Sequence, residues 1–340
     1  MIKYLIPFLT AFFITIILIF LGIYAGKKIK WKNRDSKRHI HHKGALRIGG
    51  VAMVIAFNLA IMMNADLVIT PELYGVMGAT LVLMLAGIWD DLREIFWKTQ
   101  FLFQVAAVVL VFVFGVRLYS VTNPLTGGII KLDSGGWIIL SIALVLIWTI
   151  LMINSMNWAD GIDGLSGGIT FIGALTIFFL SLKPEVNQPP MAIISMILAG
   201  TALGFLIFNF NPSFVLAGTA GSTFMGFALA MLAIFAGTKI ATSILVMAVP
   251  VVDFLWVIGE RLREKKSIFK PDANHLHYKL LGLGWSQRKT AIYFYGITAL
   301  ISIIALNTRV IGKTVTLFTA VFVLVIALAF ISRKIKNQTA

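Results

Sequence analysis

Residues 158–168 read WADGIDGLSGG and set two carboxylates, Asp160 and Asp163, among four glycines between two of the most apolar runs in the chain. The flanking runs are about 20 residues long, enough to cross about 30 Å of hydrocarbon. The whole 340-residue chain follows suit, with 59% hydrophobic and 13% charged residues, where a soluble domain carries roughly a quarter charged. These features predict an all-α polytopic membrane protein.

Eleven apolar runs are long enough to count as spans, near 4–26, 46–65, 73–89, 99–117, 137–156, 163–182, 189–209, 220–237, 239–259, 288–308 and 312–332. The first is too long and too apolar for a cleaved signal peptide, and no small-residue cleavage site follows it. No soluble domain is left over, so residues 1–340 are expected to form one integral membrane domain. Of the loops that alternate between the two sides, one set holds 22 Lys and Arg and the other seven. Basic loops resist translocation, which places the N-terminus outside and the C-terminus in the cytoplasm. The net charge of +15 is then mostly cytoplasmic and calls for no nucleic acid; anionic lipid or a phosphate-bearing substrate would add to its use. With no cysteine, disulfides and thiolate metal sites are excluded. Outer loops are short except 118–136, where Asn-Pro and Gly-Gly between β-prone runs predict a small external hairpin.

Ten of the 14 acidic residues fall on the cytoplasmic side, several at span ends, where an unpaired charge costs a few kcal/mol and implies a partner or a wet cavity. Asp90 and Asp91 close the third span. Adjacent acids there repel unless a cation intervenes, either Mg2+ bound through a phosphate or simply Arg93 and Lys98. Asn154, Asn157 and Asp160 recur at spacing three, which puts hard oxygen ligands on one face of a helical turn and suits Mg2+. The glycines that follow let backbone approach a ligand and offer N–H groups to phosphate at the next helix start, or merely turn the chain. All five histidines lie in two cytoplasmic loops: His39, His41 and His42, then His275 and His277. No loop has zinc-motif spacing, and imidazoles donating to phosphate suit a basic loop better. Asp253 reads as a helix acid paired with a neighbouring polar group.

In order along the chain, the blocks HHKGALRIGG (41–50), GIWDDL (87–92), NSMNWADGIDGLSGG (154–168), GFLIFNFNPSFVLAGTAGS (204–222), the helix of Pro250 and Asp253, and FKPDANHLHYKLL (269–281) resemble the polyprenyl-phosphate N-acetylhexosamine-1-phosphate transferases. That family includes phospho-N-acetylmuramoyl-pentapeptide transferase; eleven spans with an external N-terminus look more like its N-acetylglucosamine-1-phosphate branch. The resemblance implies an enzyme of the plasma membrane. In that family polyprenyl phosphate attacks the β-phosphate of a UDP-N-acetylaminosugar, giving a lipid-pyrophosphoryl sugar and UMP with Mg2+, or Mn2+ in its place. It further implies a site built from the cytoplasmic loops 27–47, 90–98, 154–163, 210–220 and 260–289. In that site Asp90 and Asp91 act at the lipid phosphate or metal, and Asn157 and Asp160 at the metal and nucleotide. Arg47, Lys98, Asn209, His275 and His277 face pyrophosphate or sugar. Membrane lipid is the other partner, and a homodimer is left open.

The chain departs from the family pattern at four positions. Thr219 stands where an F-M-G-D-x-G-S stretch supplies an aspartate for metal, Ala273 where an arginine is usual, Tyr278 in place of a final histidine, and Gln100 where many members carry a basic residue. These losses of charge keep a second class in view, a homologue that binds lipid phosphate or nucleotide sugar, or scaffolds glycan assembly, without turnover. An ion-coupled transporter would need ionisable groups near the bilayer midplane, whereas the acids gather at one interface.

Overall fold

A computed structural model describes residues 1–29, 45–123, 126, 128–132, 135–235, 240–268 and 274–339. The loop histidines His39, His41 and His42, and Ala273, lie outside the described residues. The described residues are mainly helical, in the order α1 (Ile2–Ile29), α2 (Gly49–Met62), α3 (Pro71–Leu92), α4 (Trp97–Val113), α5 (Trp137–Ala159), α6 (Leu165–Ser181), α7 (Pro189–Asn209), α8 (Gly218–Phe235), α9 (Ile240–Val246), α10 (Ala248–Arg263), α11 (Leu276–Gly282), α12 (Gln287–Asn307) and α13 (Val310–Thr339). Seven helices among the described residues, α1, α3, α5, α7, α8, α12 and α13, are long and apolar enough to cross a membrane; α2, α4 and α6 are apolar but shorter. The protein is therefore a multi-pass helical membrane protein. The predicted hairpin is present between α4 and α5: β1 (Ser120–Thr122) pairs antiparallel with β2 (Ile129–Lys131), Val121 opposite Ile130. The Ser141 hydroxyl on α5 secures its root, donating to the Leu118 carbonyl across 2.9 Å and accepting from the Leu118 N–H across 3.1 Å.

Seven of the eleven expected spans correspond to helices of spanning length, three to the shorter α2, α4 and α6, and the remaining one is interrupted. The run 239–259 is not one helix but two, α9 and α10, broken at Met247. Pro250 in the first turn of α10 explains the break: its missing N–H and its ring against the carbonyl four residues back prevent the helix from continuing upstream.

The centre of the bundle is α8, buried along nearly its whole length, with α3 and α5 packed on it and α7 held by α1 and α6. Lipid offers no hydrophobic drive for helices to associate, so close backbone approach across small residues supplies the contact. A Cβ on Gly50 would come within 2.1 Å of the Gly221 nitrogen, and one on Gly226 within 2.5 Å of the Met152 carbonyl oxygen. The segment before α2 is stitched alongside the one before α8 by hydrogen bonds from Leu216 N–H to the Leu46 carbonyl (2.8 Å) and from Gly50 N–H to the Ala217 carbonyl (3.0 Å). Arg47 is thereby delivered to the end of α3.

The contact that sets α8 against α3 is Gly87, whose added Cβ would stand 2.3 Å from the backbone of Ala220, whereas Cβ atoms on Gly259 and Gly296 would meet nothing within 4 Å. Gly87→Ala is expected to lower the thermal midpoint of the detergent-purified protein, as overpacking costs about 1–3 kcal/mol. Gly259→Ala and Gly296→Ala are expected to raise it slightly, since alanine is favoured over mid-helix glycine by about 0.5–1 kcal/mol. Equal midpoints for all three variants would refute this account of the packing.

Candidate active site

The end of α3 and the start of α8 form one junction. Asp91 Oδ1 accepts from the Thr219 N–H and from Arg47 Nη1, both at 3.2 Å. Asp90 Oδ2 accepts from the Thr219 hydroxyl at 2.6 Å, and Asp90 Oδ1 from the Ile95 N–H at 3.0 Å. Thr219 thus bridges both carboxylates, one through its backbone and the other through its side chain. Gly218 makes the approach feasible. Its φ of +64° lies in the left-handed region that glycine adopts at no steric cost, and a Cβ there would fall 2.3 Å from Asp91 Oδ2. Beside the junction lies a small, partly open pocket whose lining includes Gly87, Gln100, Gln104, Thr219 and Thr223. Gln104 is tied across to α5 by a reciprocal amide pair with Asn154, with the Asn154 Nδ2 to Gln104 Oε1 bond at 2.8 Å. Lys98 is exposed, its ammonium 5.8 Å from the Trp97 ring centroid.

The two acids of WADGIDG have separate fates. Asp160 caps the end of α5, half-buried, and accepts from the Ser166 hydroxyl at the start of α6. Asn157, one turn earlier, is half-buried as well. Asp163 is 1% exposed and accepts from Ser213 Oγ (2.8 Å), Ser213 N–H (3.1 Å) and Asn211 Nδ2 (2.8 Å), which pins the turn between α7 and α8. Two backbone N–H groups of this loop are taken by the protein's own side chains. Asp163 N–H donates to Gln287 Oε1 at 3.0 Å and Gly164 N–H to Asn209 Oδ1 at 2.9 Å. Asn209 is 2% exposed, and its other end donates to the Val215 carbonyl at 2.8 Å, so both ends of this amide hold loops together. The glycines allow close packing: a Cβ on Gly168 would enter the Tyr295 ring at 2.1 Å, and the Tyr295 hydroxyl donates to the Gly164 carbonyl at 2.6 Å. No sequence pattern signalled Tyr295 as a partner of this loop.

The second histidine pair docks onto the same loop. His275 Nδ1 lies 2.8 Å from Asp253 Oδ2, and Asp253 Oδ1 accepts the Leu276 N–H at 2.7 Å, so Asp253 is the paired helix acid that its setting predicted. The His275 ring meets Trp158 edge-on at 5.1 Å and is stacked 3° from parallel with His277 at 5.6 Å; Arg261 lies 4.7 Å from the Trp158 ring centroid. His277, in the short α11 of the 260–289 loop, is 2% exposed. Its Nε2 has no hydrogen-bond partner among the described residues and sits where a Cβ on Gly161 would be 2.2 Å away. Burial, more than the neighbouring charges, pushes the His277 ring down to about 3. The structure therefore brings Arg47, Asp90, Asp91 and Thr219 together, and gathers His275 and His277 around the end of α5 next to Asn157 and Asp160.

Residues 73–237 match the family model described as glycosyl transferase family 4. A Mycobacterium tuberculosis protein described as decaprenyl-phosphate N-acetylglucosaminephosphotransferase is 32% identical over 290 residues, covering 76% of this chain and 71% of the relative. A Bacillus subtilis protein, "Probable undecaprenyl-phosphate N-acetylglucosaminyl 1-phosphate transferase", is 28% identical over 309 residues, 89% of this chain and 83% of its own length. A phospho-N-acetylmuramoyl-pentapeptide-transferase of Bacillus pumilus is 28% identical over 301 residues, covering 84% and 89%.

The His277 environment has a pH consequence. Above about 6.5, the ordinary histidine value, the ring is neutral folded and unfolded and adds no pH dependence. As pH falls from there toward the folded value of about 3, the unfolded chain takes up a proton that the folded chain excludes, so stability declines. The thermal midpoint of wild type is expected to drop between pH 6.5 and 4 more steeply than that of His277→Gln; parallel curves would sink the assignment.

Proposed function

Because the chain belongs to the polyprenyl-phosphate N-acetylhexosamine-1-phosphate transferases of glycosyl transferase family 4, we propose that it transfers an N-acetylaminosugar 1-phosphate from a UDP-sugar to polyprenyl phosphate at the cytoplasmic face of the plasma membrane. The products are a lipid-pyrophosphoryl sugar and UMP. The observation that carries this reading is the junction of Asp90 and Asp91 with Arg47 and Thr219, an acid pair with a built-in cation at a helix end beside a partly open pocket. Residues 1–340 then act as one membrane domain, with the site made by the loops 27–47, 90–98, 154–163, 210–220 and 260–289. The finer topology belongs to the same proposal: eleven crossings, one of them interrupted between α9 and α10, with the N-terminus outside. The 22-to-seven distribution of Lys and Arg supports it.

The donor set suits Mg2+, with Mn2+ as the alternative. Asp91 Oδ2 accepts no hydrogen bond among the described residues, and only a glycine at position 218 leaves it room, since a Cβ there would stand 2.3 Å away. No three acidic or histidine side chains converge among the described residues, but Mg2+ characteristically takes one or two carboxylates and completes its shell with water and substrate phosphate. Asp90 and Asp91 would hold the ion, with Asn157 and Asp160 facing the metal and nucleotide from α5. Bound there, Mg2+ would neutralise charge on the transferring phosphoryl group. Arg47 and Lys98 would meet phosphate oxygens, and His275 the sugar. Asn209 and His277, whose polar groups face the protein interior, would shape the site's walls.

Release of UMP from a panel of UDP-N-acetylaminosugars by purified protein is expected to require both polyprenyl phosphate and Mg2+. Asp91→Asn is expected to reduce it by about 10²–10³-fold, the usual cost of removing one charge-stabilising group; undiminished release from that variant would remove the acid pair from the reaction. Thr219→Asp replaces a hydroxyl that donates to Asp90 with a third acid. It is expected to be less stable than wild type in EDTA and to gain more thermal stability from Mg2+. An equal gain in the two proteins would show that this position does not face the ion.

A further inference from the structure

Asp253 is the buried carboxylate that the proposed reaction has not used. It projects from α10, is 6% exposed, and spends both oxygens on one short stretch of chain: Oδ1 on the Leu276 N–H that begins α11, and Oδ2 on His275 Nδ1. A carboxylate can only accept, so the imidazole nitrogen facing it must carry the hydrogen. His275 Nε2 is then the nitrogen left over, and it has no partner among the described residues. Two rings stop the imidazole from turning over: His277 stacked at 5.6 Å and Trp158 edge-on at 5.1 Å. Trp158 stands between Asn157 and Asp160 on the turn that ends α5, so the ring is held at the border of the proposed metal and nucleotide wall.

We propose that Asp253 is a positioning residue: it fixes the Nδ1–H tautomer of His275 and aims the bare Nε2, an acceptor, at a hydroxyl of the donor's sugar, so that Asp253 acts on the reaction only through His275. The role of His275 rests on the transferase reading above; the tautomer does not. The two histidines of this loop then divide the work. His275 keeps a free nitrogen for substrate, while His277, closed in against Gly161, fastens the loop to the end of α5. Asp253 has a second effect built in, because the oxygen that accepts the Leu276 N–H starts α11 in the same place each time the imidazole is oriented.

The experiment pairs a spectrum with kinetics. In wild-type protein labelled with 15N-histidine and assigned by His275→Gln, the neutral His275 ring is expected to show a protonated Nδ1 and a bare Nε2, a measurement that needs no substrate. Asp253→Asn is expected to lose that single tautomer and to lower kcat for UMP release about 10–100-fold, as is typical when the group orienting a histidine is removed, with KM for the UDP-sugar little changed. In the His275→Gln background the same substitution is expected to cost nothing further, since the two residues act as a unit. A neutral His275 protonated at Nε2 would overturn the proposal. So would a folded Asp253→Asn protein with wild-type kcat, or a full additional loss in the double variant. Should Asp253→Asn fail to fold, the wild-type spectrum still decides the tautomer. Should wild type release no UMP from any donor, the transferase reading falls, and the spectrum still decides whether Asp253 sets the ring.

Discussion

The bridge of Thr219 across Asp90 and Asp91 is the interaction on which the site's geometry depends. Two adjacent carboxylates at the end of a membrane helix repel each other and pay for leaving water. Here the backbone and hydroxyl of one residue, the Ile95 N–H and the Arg47 guanidinium supply four donors to the pair. These donors come from three parts of the fold: the start of α8, the segment after α3 and the segment before α2. The α8 start is pressed onto α3 by the Gly87–Ala220 contact, and Arg47 arrives because residues 46–50 are bonded to 214–217. Small residues between helices and charged residues at their ends are thus one construction: the former bring backbones close enough for the latter to be satisfied.

The loop 158–168 shows the same economy. Its glycines and acids looked like an anion cradle, yet two of its N–H groups turn inward to Gln287 and Asn209, and Asp163 binds the turn after α7. A buried carboxylate that accepts several hydrogen bonds holds such a loop in place. That rigidity fixes the places of Asn157 and Asp160 at the end of α5, and Gly161 gives the histidine loop its seat.

Much of this was legible in the sequence, and the reasons for the rest are physical. Apolar runs gave the helices because hydrocarbon thickness imposes length, and Asn-Pro with Gly-Gly gave the hairpin because turns need those backbones. The run 239–259 misled because hydropathy is blind to a missing N–H; Pro250 was there to be read as the break. Asp90, Asp91 and Arg47 were found as residues, but their meeting depends on a parallel pairing between Leu46 and Val215, more than 160 residues apart, which no local pattern encodes. Asn209 and His277 were expected to face pyrophosphate or sugar because the resemblance implied it. What it did not show is that the Asn209 amide also spans Gly164 and Val215 and that the His277 ring packs against Gly161.

Thr219 inverts the electrostatics of its position. An acid there would accept hydrogen bonds and add a third negative charge, so that the ends of α3 and α8 would stay together only with a cation between them. A threonine donates instead, and its 2.6 Å bond to Asp90 closes the α3–α8 junction with protein groups alone. The junction's shape is thereby independent of whatever cation it meets. In the proposed reaction charge neutralisation on the donor diphosphate would fall more heavily on Arg47 and Lys98, while the oriented imidazole of His275 would meet the sugar; the three stand on separate segments of the chain. Catalysis by such a site is a matter of placement: the fold must hold those segments in register before substrate arrives, and the buried carboxylates Asp163 and Asp253, each bonded to two or more donors, are the groups that do so.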